Sequence, residues 1–420
     1  MSIKPLLLLM WAMALPASAQ PGRTLLLSDH LLTFRCEVDG DGSKLPVIPL
    51  HGTQVLKFSF DDLTHEYRRY TYRITHCDAE GKPTEDLFES DYVTNGEEEE
   101  VVEDYEPSLN TTVLYTHYSF SIPNARMRPL KSGNYLLTVS TENEDGDAVP
   151  VAQYCFGVVD AQVRIAPECT TNTDVDWNGS HQQISLTADL GRLPLRNAAD
   201  EFRLVVMQNG RHDNLRYAPE PTSQSAQVLR WEHCRDLIFD AGNEYRKMEF
   251  LSNRYPGMHG ESMQWFDPYY HNTLFADAPR RNYLYDEDQD GISVVRCEQT
   301  ATPETEADYA LTHFTLQMPR LQGRDVYVNG RWASEGLSPR YKMHYNEQAE
   351  AYECNVLLKQ GYYEYLYLTA DCGSTSAGST APVEGNWFQT ENEYSFLAYY
   401  RGVADRYWQL VGALSLKYRK

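Results

Sequence analysis

Basic residues are scarce in this 420-residue sequence: 37 Lys and Arg stand against 60 Asp and Glu, a formal net charge of −23. Nucleic acid and anionic membrane surfaces are read by basic patches, so neither is an expected partner. Long apolar runs are missing beyond the first twenty residues, and without about 18 consecutive apolar residues no direct membrane insertion is expected. Cysteine is thinly spread. Cys36, Cys77, Cys155, Cys169, Cys234, Cys297, Cys354 and Cys372 form no C-x-x-C pair, which argues against a zinc ribbon or a thioredoxin-like motif and leaves any disulfide pairing open. Stretches with a 3.6-residue apolar period are lacking, which argues against a helical architecture. No G-x-S-x-G, H-E-x-x-H, phosphate-loop or dinucleotide fingerprint is found, so no enzyme, catalytic residue, cofactor or metal is nominated.

What is there begins with "MSIKPLLLLMWAMALPASAQ", where Lys4, an apolar run from Leu6 to Leu15 and Ala17-Ser18-Ala19 precede Gln20. This pattern predicts a secretory signal over 1–19 and a mature chain starting at Gln20, with no cysteine after the cleavage point to carry a lipid. An exported, soluble protein is expected. Without Lys4 the mature chain has 36 basic and 60 acidic residues, a net charge of −24.

Period-two alternation dominates the rest. Tyr70, Tyr72 and Ile74 alternate with Thr71, Arg73 and Thr75, and the same rule holds for Tyr118, Phe120 and Ile122, for Tyr135, Leu137 and Val139, for Phe202, Leu204 and Val206, and for Phe314, Leu316 and Met318. Each reads as a half-buried strand. Tyrosine supplies 30 residues against 14 Phe and 7 Trp, which suits strands needing an apolar body with a polar tip. The expected fold is all-β: tandem antiparallel β-sandwich domains of the immunoglobulin or fibronectin type III kind. A proline-containing connection at Val158 to Cys169 and the polar "EQTATPETEAD" at Glu298 to Asp308 predict three of them, at 24–159, 162–297 and 306–420. "DCGSTSAGSTAPVEG", Asp371 to Gly385, reads as a loop inside the last.

Three stretches invite a chemical reading. In "YTYRITHCDAEGKP", strand geometry sends His76 and Cys77 to opposite faces, so they form no dyad; His76 is expected at a strand end with its hydrogen bonds satisfied, and Asp78 opening a turn. His233-Cys234 fails as a ligand pair by the same logic. "DEDQDG", Asp286 to Gly291, resembles the start of a helix-flanked calcium loop, but position 12 falls on Cys297 where a bidentate glutamate is required, so a turn at Asp290-Gly291 joining two strands is expected instead. "EEEE", Glu97 to Glu100, reads as a solvated turn.

The segments carry a family likeness. "YRITHCDA" (with His76, Cys77 and Asp78), "DYEPSLNTTVLYTHYSFSIPN" (with Asn110, Tyr115, Tyr118, Pro123 and Asn124) and "KSGNYLLTV" (with Ser132, Gly133, Asn134 and Tyr135) resemble the first half of the plug proteins of the Bacteroidetes type IX secretion system. The likeness continues in "VMQNGRHDN" (Gln208, Asn209, Gly210), "FDAGNEYRKMEF" (Asn243, Glu244, Arg246), "YVNG" at Tyr327, "MHYN" at Met343, "LLKQGYYEYLY" (Gln360, Gly361, Tyr362, Tyr363, Tyr365), "EGNWFQTENEY" (Thr390, Glu391, Asn392, Tyr394) and "YYRG" at Tyr399. It departs at Glu80-Gly81, where the family has a tryptophan. The resemblance implies a non-enzymatic periplasmic protein that binds the large outer-membrane translocon barrel and closes its periplasmic opening, held at the outer membrane through that partner and expected as a monomer. Which surface makes the contact is not implied. A weaker likeness of "VYVNGRWASEG" and "YECNVLLKQGYYEYLYL" to early-set immunoglobulin-like modules, including glycogen-binding domains, raises an alternative: an exported carbohydrate-binding protein with Trp332 as a stacking aromatic.

Overall fold

Alternating side chains leave each strand with an apolar face to bury, and the chain meets that demand with three pairs of packed sheets. The computed structural model describes residues 24–95, 99–333, 337–374 and 377–419; the signal expected at 1–19 and Glu97 and Glu98 lie outside them, while Glu100, expected in a solvated turn, is buried at the start of the strand Glu100–Val101. Strands hold 47% of the residues and helices 5%. The first unit faces a sheet of Leu31–Val38, Leu56–Asp62, Thr116–Ile122 and Asp104–Pro107 against a sheet built on Tyr70–Cys77, Gly133–Glu142 and Ala148–Val159. Aromatic rings from the two sheets interlock: Phe60 meets Tyr70 at 5.1 Å and Tyr72 stacks on Phe120 at 4.2 Å. Each such buried side chain contributes about 1.5–3 kcal/mol.

The next two units do not follow the expected boundaries. Phe202–Gln208 pairs along its full length with Glu393–Tyr400, from Phe202 opposite Tyr400 to Gln208 opposite Tyr394, so the last two long strands complete the second sandwich and not the third. Arg246–Phe250 pairs instead with Gly361–Asp371, and Tyr269–Leu274 lies parallel to Tyr309–Gln317, so strands before the expected 297/306 boundary belong to the third sandwich. The second unit is therefore discontinuous, and the third is inserted between its strands. Local composition could not register this, because the pairing partners are nearly 200 residues apart. Asp371 to Gly385 is accordingly the crossing from the third unit back to the second rather than a loop within one domain. Glu298 to Asp308 is no slack linker either: it holds the helix Pro303–Glu306, and its Asp308 is buried.

The Asp286 to Gly291 reading also needs correction. No strand lies between Tyr269–Leu274 and Ser293–Val295, so the turn at Asp290-Gly291, both at positive φ, leads out of an irregular, largely exposed segment whose last residues are buried. The Glu364 carboxylate takes the place of a ladder there, accepting from the amides of Gln289 at 3.0 Å and Gly291 at 2.9 Å.

Candidate functional site

The first place to look is His76-Cys77-Asp78, at the end of the strand Tyr70–Cys77. The His76 ring is buried, with Nδ1 at 2.9 Å from Thr84 Oγ1 and Nε2 at 3.1 Å from the Ser132 carbonyl. Burial pushes its pKa down to about 4, so it is neutral at pH 7. Burial pushes the Cys77 thiol up to about 12, leaving almost no thiolate to act as a nucleophile. Asp78 Oδ1 accepts from the amides of Glu80 and Lys82 and so closes the turn. Gly133, at φ +148°, brings its backbone against the ring; a Cβ there would sit 2.2 Å from His76 Nε2. Both His76 ring nitrogens are thus engaged, and Cys77 keeps its proton.

The likeness-bearing residues gather instead at the joints between sandwiches. Asn134 donates to the Asp78 carbonyl and accepts from the Tyr399 hydroxyl at 2.8 Å, tying the first unit to the second. Tyr135 closes the same corner by donating to the Lys131 carbonyl. Between the first and third units, fully buried Lys359 holds Asp61 Oδ2 at 2.6 Å, and Asp61 also receives the Tyr309 hydroxyl and contacts His117 Nδ1, each at 2.6 Å. Burial raises the Asp61 carboxyl, but the Lys359 charge and His117 outweigh it and hold the pKa below its usual value. Tyr115 lies under the Lys359 ammonium at 4.1 Å and donates to the Ala307 carbonyl. Gln360 accepts from the Asp308 amide, while Asp308 Oδ2 receives Thr112. Asn110 adopts the left-handed turn before these contacts. Tyr118 and Asn124 stay inside the first unit, bonded to Arg68 and Tyr72, and Pro123 follows the strand Thr116–Ile122.

The second and third units meet through Lys417 and Asp290 at 3.6 Å and Arg331 and Glu393 at 3.6 Å, and a buried amide cluster closes the second unit where the chain crosses back into it. Asn392 donates to Gln182 and the Ala241 carbonyl and accepts from Asn209; Gln208 and Tyr394 complete this buried amide cluster. Arg246 reaches Asp277 at 2.7 Å and Glu384 at 3.0 Å. Glu384 in turn accepts from Arg280 and from the Tyr367 amide. Asn243 and Thr390 hold the crossing chain through the Glu384 and Gly242 carbonyls, and Glu244 accepts from Tyr283 and the Glu391 amide. Gly210 lies against Arg331, and Arg331 reaches Ser43 of the first unit. Gly361, Tyr362, Tyr363 and Tyr365 sit in the central strand of the third unit.

Where the three units meet they enclose a cavity of about 370 Å³ lined by Cys36, Tyr154, Cys155, Asn209, Arg331 and Glu393 among others. Burial drives the Cys36 and Cys155 thiols upward, and the eight cysteines are free thiols. Trp332 is half-buried against the third unit's core, edge-on to Tyr341 and Tyr363, with its indole N–H on the Glu364 carbonyl at 2.8 Å. Among the described residues, no group of three or more His, Cys, Asp or Glu is placed to hold a metal ion. Sequence reasoning missed Asp61, Lys359 and Glu384, whose partners lie between 17 and 298 positions away; the one local signal was a lysine and a glutamate standing beside apolar strands.

Residues 31–160 match the family model of the type 9 secretion system plug protein, first domain. This stretch, the first of the three units, belongs to the type IX secretion plug family. Across 95% of its length the chain also aligns with the whole of a hypothetical protein from Parabacteroides merdae ATCC 43184, at 38% identity and a TM-score of 0.91. A pairing with BcpA, the major pilin subunit of Bacillus cereus, has 9% identity, covers 56% of this chain and 64% of that one, and at a TM-score of 0.15 carries no structural likeness. No curated protein matches. The plug family has a type IX secretion-related role and is not a known enzyme family.

Proposed function

We propose that this protein plugs the periplasmic opening of the type IX outer-membrane translocon barrel, without chemistry of its own. The observation carrying the proposal is the plug-family match over residues 31–160. The architecture suits the task. A barrel wide enough for folded cargo has a lumen its own side chains cannot fill, so a separate stopper is needed, and three sandwiches locked by buried polar joints behave as one stiff body. Its excess of acid over base favours basic groups on the barrel rim, a contact that salt weakens. The proposal places the protein in the periplasm, in keeping with the signal expected at 1–19. The packing of half-buried Trp332 against the third unit's core favours this reading over the carbohydrate-binding alternative.

Two measurements test this. A deletion strain should admit large antibiotics normally excluded by the outer membrane while export continues, and the tagged protein should co-purify with an outer-membrane barrel at low salt and less so at high salt. Unchanged permeability together with no barrel at low salt would sink the proposal.

A further inference from the structure

The strand Gly260–Phe266 is the outer edge of the third unit's five-stranded sheet. On one side it pairs with Tyr269–Leu274, Phe266 opposite Tyr269 across a two-residue turn; on the other it pairs with no strand among the described residues. An edge strand offers every second pair of backbone groups to whatever extended chain arrives, and proteins usually blunt such edges with charge, proline, brevity or a cover. Three other edges are managed in those ways. Asp104–Pro107 carries two acids and a proline, Arg164–Thr170 carries Pro167 between Arg164 and Glu168, and Gln409–Lys417 is covered by amides from Asp160, Gln162 and Val163. Gly260–Phe266 has none of these protections along Ser262 to Phe266.

Its side chains make the exception plainer. Trp265 and Phe266 are 47% and 55% exposed, and Met258 and Phe275 beside the hairpin are 49% and 52% exposed. Trp265 is propped by Tyr270 at 4.9 Å and Phe266 by His271 at 5.2 Å, so these rings are held outward rather than collapsed onto the sheet. As successive strand residues Trp265 and Phe266 project to opposite faces, so the open edge carries an exposed ring on each side of the sheet.

We propose that this edge is the docking strand for the secretion machinery, and that its occupant is an extended strand of a machinery protein, apolar at alternate positions and free of net negative charge. The open backbone ladder demands an extended partner, as in β-strand addition. Charge selects among extended partners: Glu261 and Asp267 flank the strand at its two ends, and a molecule of net charge −23 repels a second copy of itself. The inference rests on the proposed association with the secretion machinery and assigns it a surface.

The test uses the full chain in its native host. A photo-crosslinking residue at position 265 should yield a crosslinked peptide from an extended segment of a secretion-machinery protein. Trp265→Lys and Phe266→Lys should each reduce recovery of that protein at least about tenfold with an unchanged melting temperature, whereas Trp177→Lys, at an exposed tryptophan elsewhere, should not. Barrel recovery unchanged by Trp265→Lys and Phe266→Lys overturns the docking strand and leaves the plug reading standing. A crosslink to a second copy of this chain overturns the occupant. If the wild-type chain recovers no barrel, the plug reading falls; a crosslink from 265 to another machinery protein then still upholds the docking strand, and its absence overturns it.

Discussion

Lys359 is 1% exposed, and its ammonium is held by Asp61, the Glu304 carbonyl and the face of Tyr115. Removing one partner of a buried ion pair strands the other's charge, at a cost of about 3–5 kcal/mol. Lys359→Ala should therefore lower the urea-unfolding free energy by that amount, while Lys359→Met with Asp61→Leu should recover much of it; equal stability of Lys359→Ala and wild type would refute the buried pair. A second residue-scale consequence concerns Asp288 and Asp290. Burial, together with the mutual repulsion at Asp288, raises them to about 8 and about 7; Lys417 and Arg331 face Asp290, while Glu364, Glu244 and Glu393 add negative charge nearby. The folded state thus holds these protons more tightly than the unfolded chain, whose carboxyls titrate near 3.8. Their contribution is fully present below that value and is lost as pH rises through about 7 to 8. The melting temperature should fall between pH 5 and pH 8, and the Asp288→Asn, Asp290→Asn double variant should show a flatter slope. Asp61 acts at the opposite end: held below its usual pKa, it loses its contribution only in acid.

At the scale of one element, the strand Gly361–Asp371 shows what two-sided burial does to a sequence. Tyr363, Tyr365 and Tyr367 turn to the third unit's core, and Leu366 and Leu368 are buried on the opposite face, so the alternation that marks a solvent-facing strand is missing and both faces are bulky. Tyr365 and Tyr367 each place a hydroxyl 2.8 Å from Asp277 Oδ2. Tyr365→Ala should cost about 3–5 kcal/mol from lost packing. Tyr365→Phe keeps the ring and should cost about 1–3 kcal/mol, the price of an imperfectly satisfied buried carboxylate. Chemical denaturation of both variants checks the ordering, and a Tyr365→Ala protein as stable as wild type would mean this face is not packed.

For the whole molecule, the decisive feature is that Glu393–Tyr400 closes a sheet begun by Phe202–Gln208. Truncation after residue 392 removes Tyr394, Phe396, Ala398, Tyr400 and Val411 from the second unit's core. The truncated chain should lose that sandwich altogether. Limited proteolysis should then cut within 162–242 while the first unit, whose core is drawn from Leu31 to Val158 with only Tyr407 packed against it from outside, survives as a resistant fragment. Uniform protection of the truncated chain would contradict the shared sheet. Strand content, individual strands and the placing of His76 and Cys77 on opposite faces were legible in the sequence, because each depends on side chains one or two positions apart. The joints were not. Asn134 and Tyr399, or Lys359 and Asp61, are ordinary polar residues until the fold brings them together.

By itself, then, the sequence determined the all-β character, the satisfied turn at Asp78 and the family likeness, all consequences of short-range periodicity and of motifs contiguous in the chain. The discontinuous second unit, the buried polar joints and the unguarded edge at Gly260–Phe266 were decided by tertiary structure, because each depends on which strand lies beside which. Strand pairing is fixed by the net burial of whole faces, and that sum runs over residues too far apart for any local pattern to record.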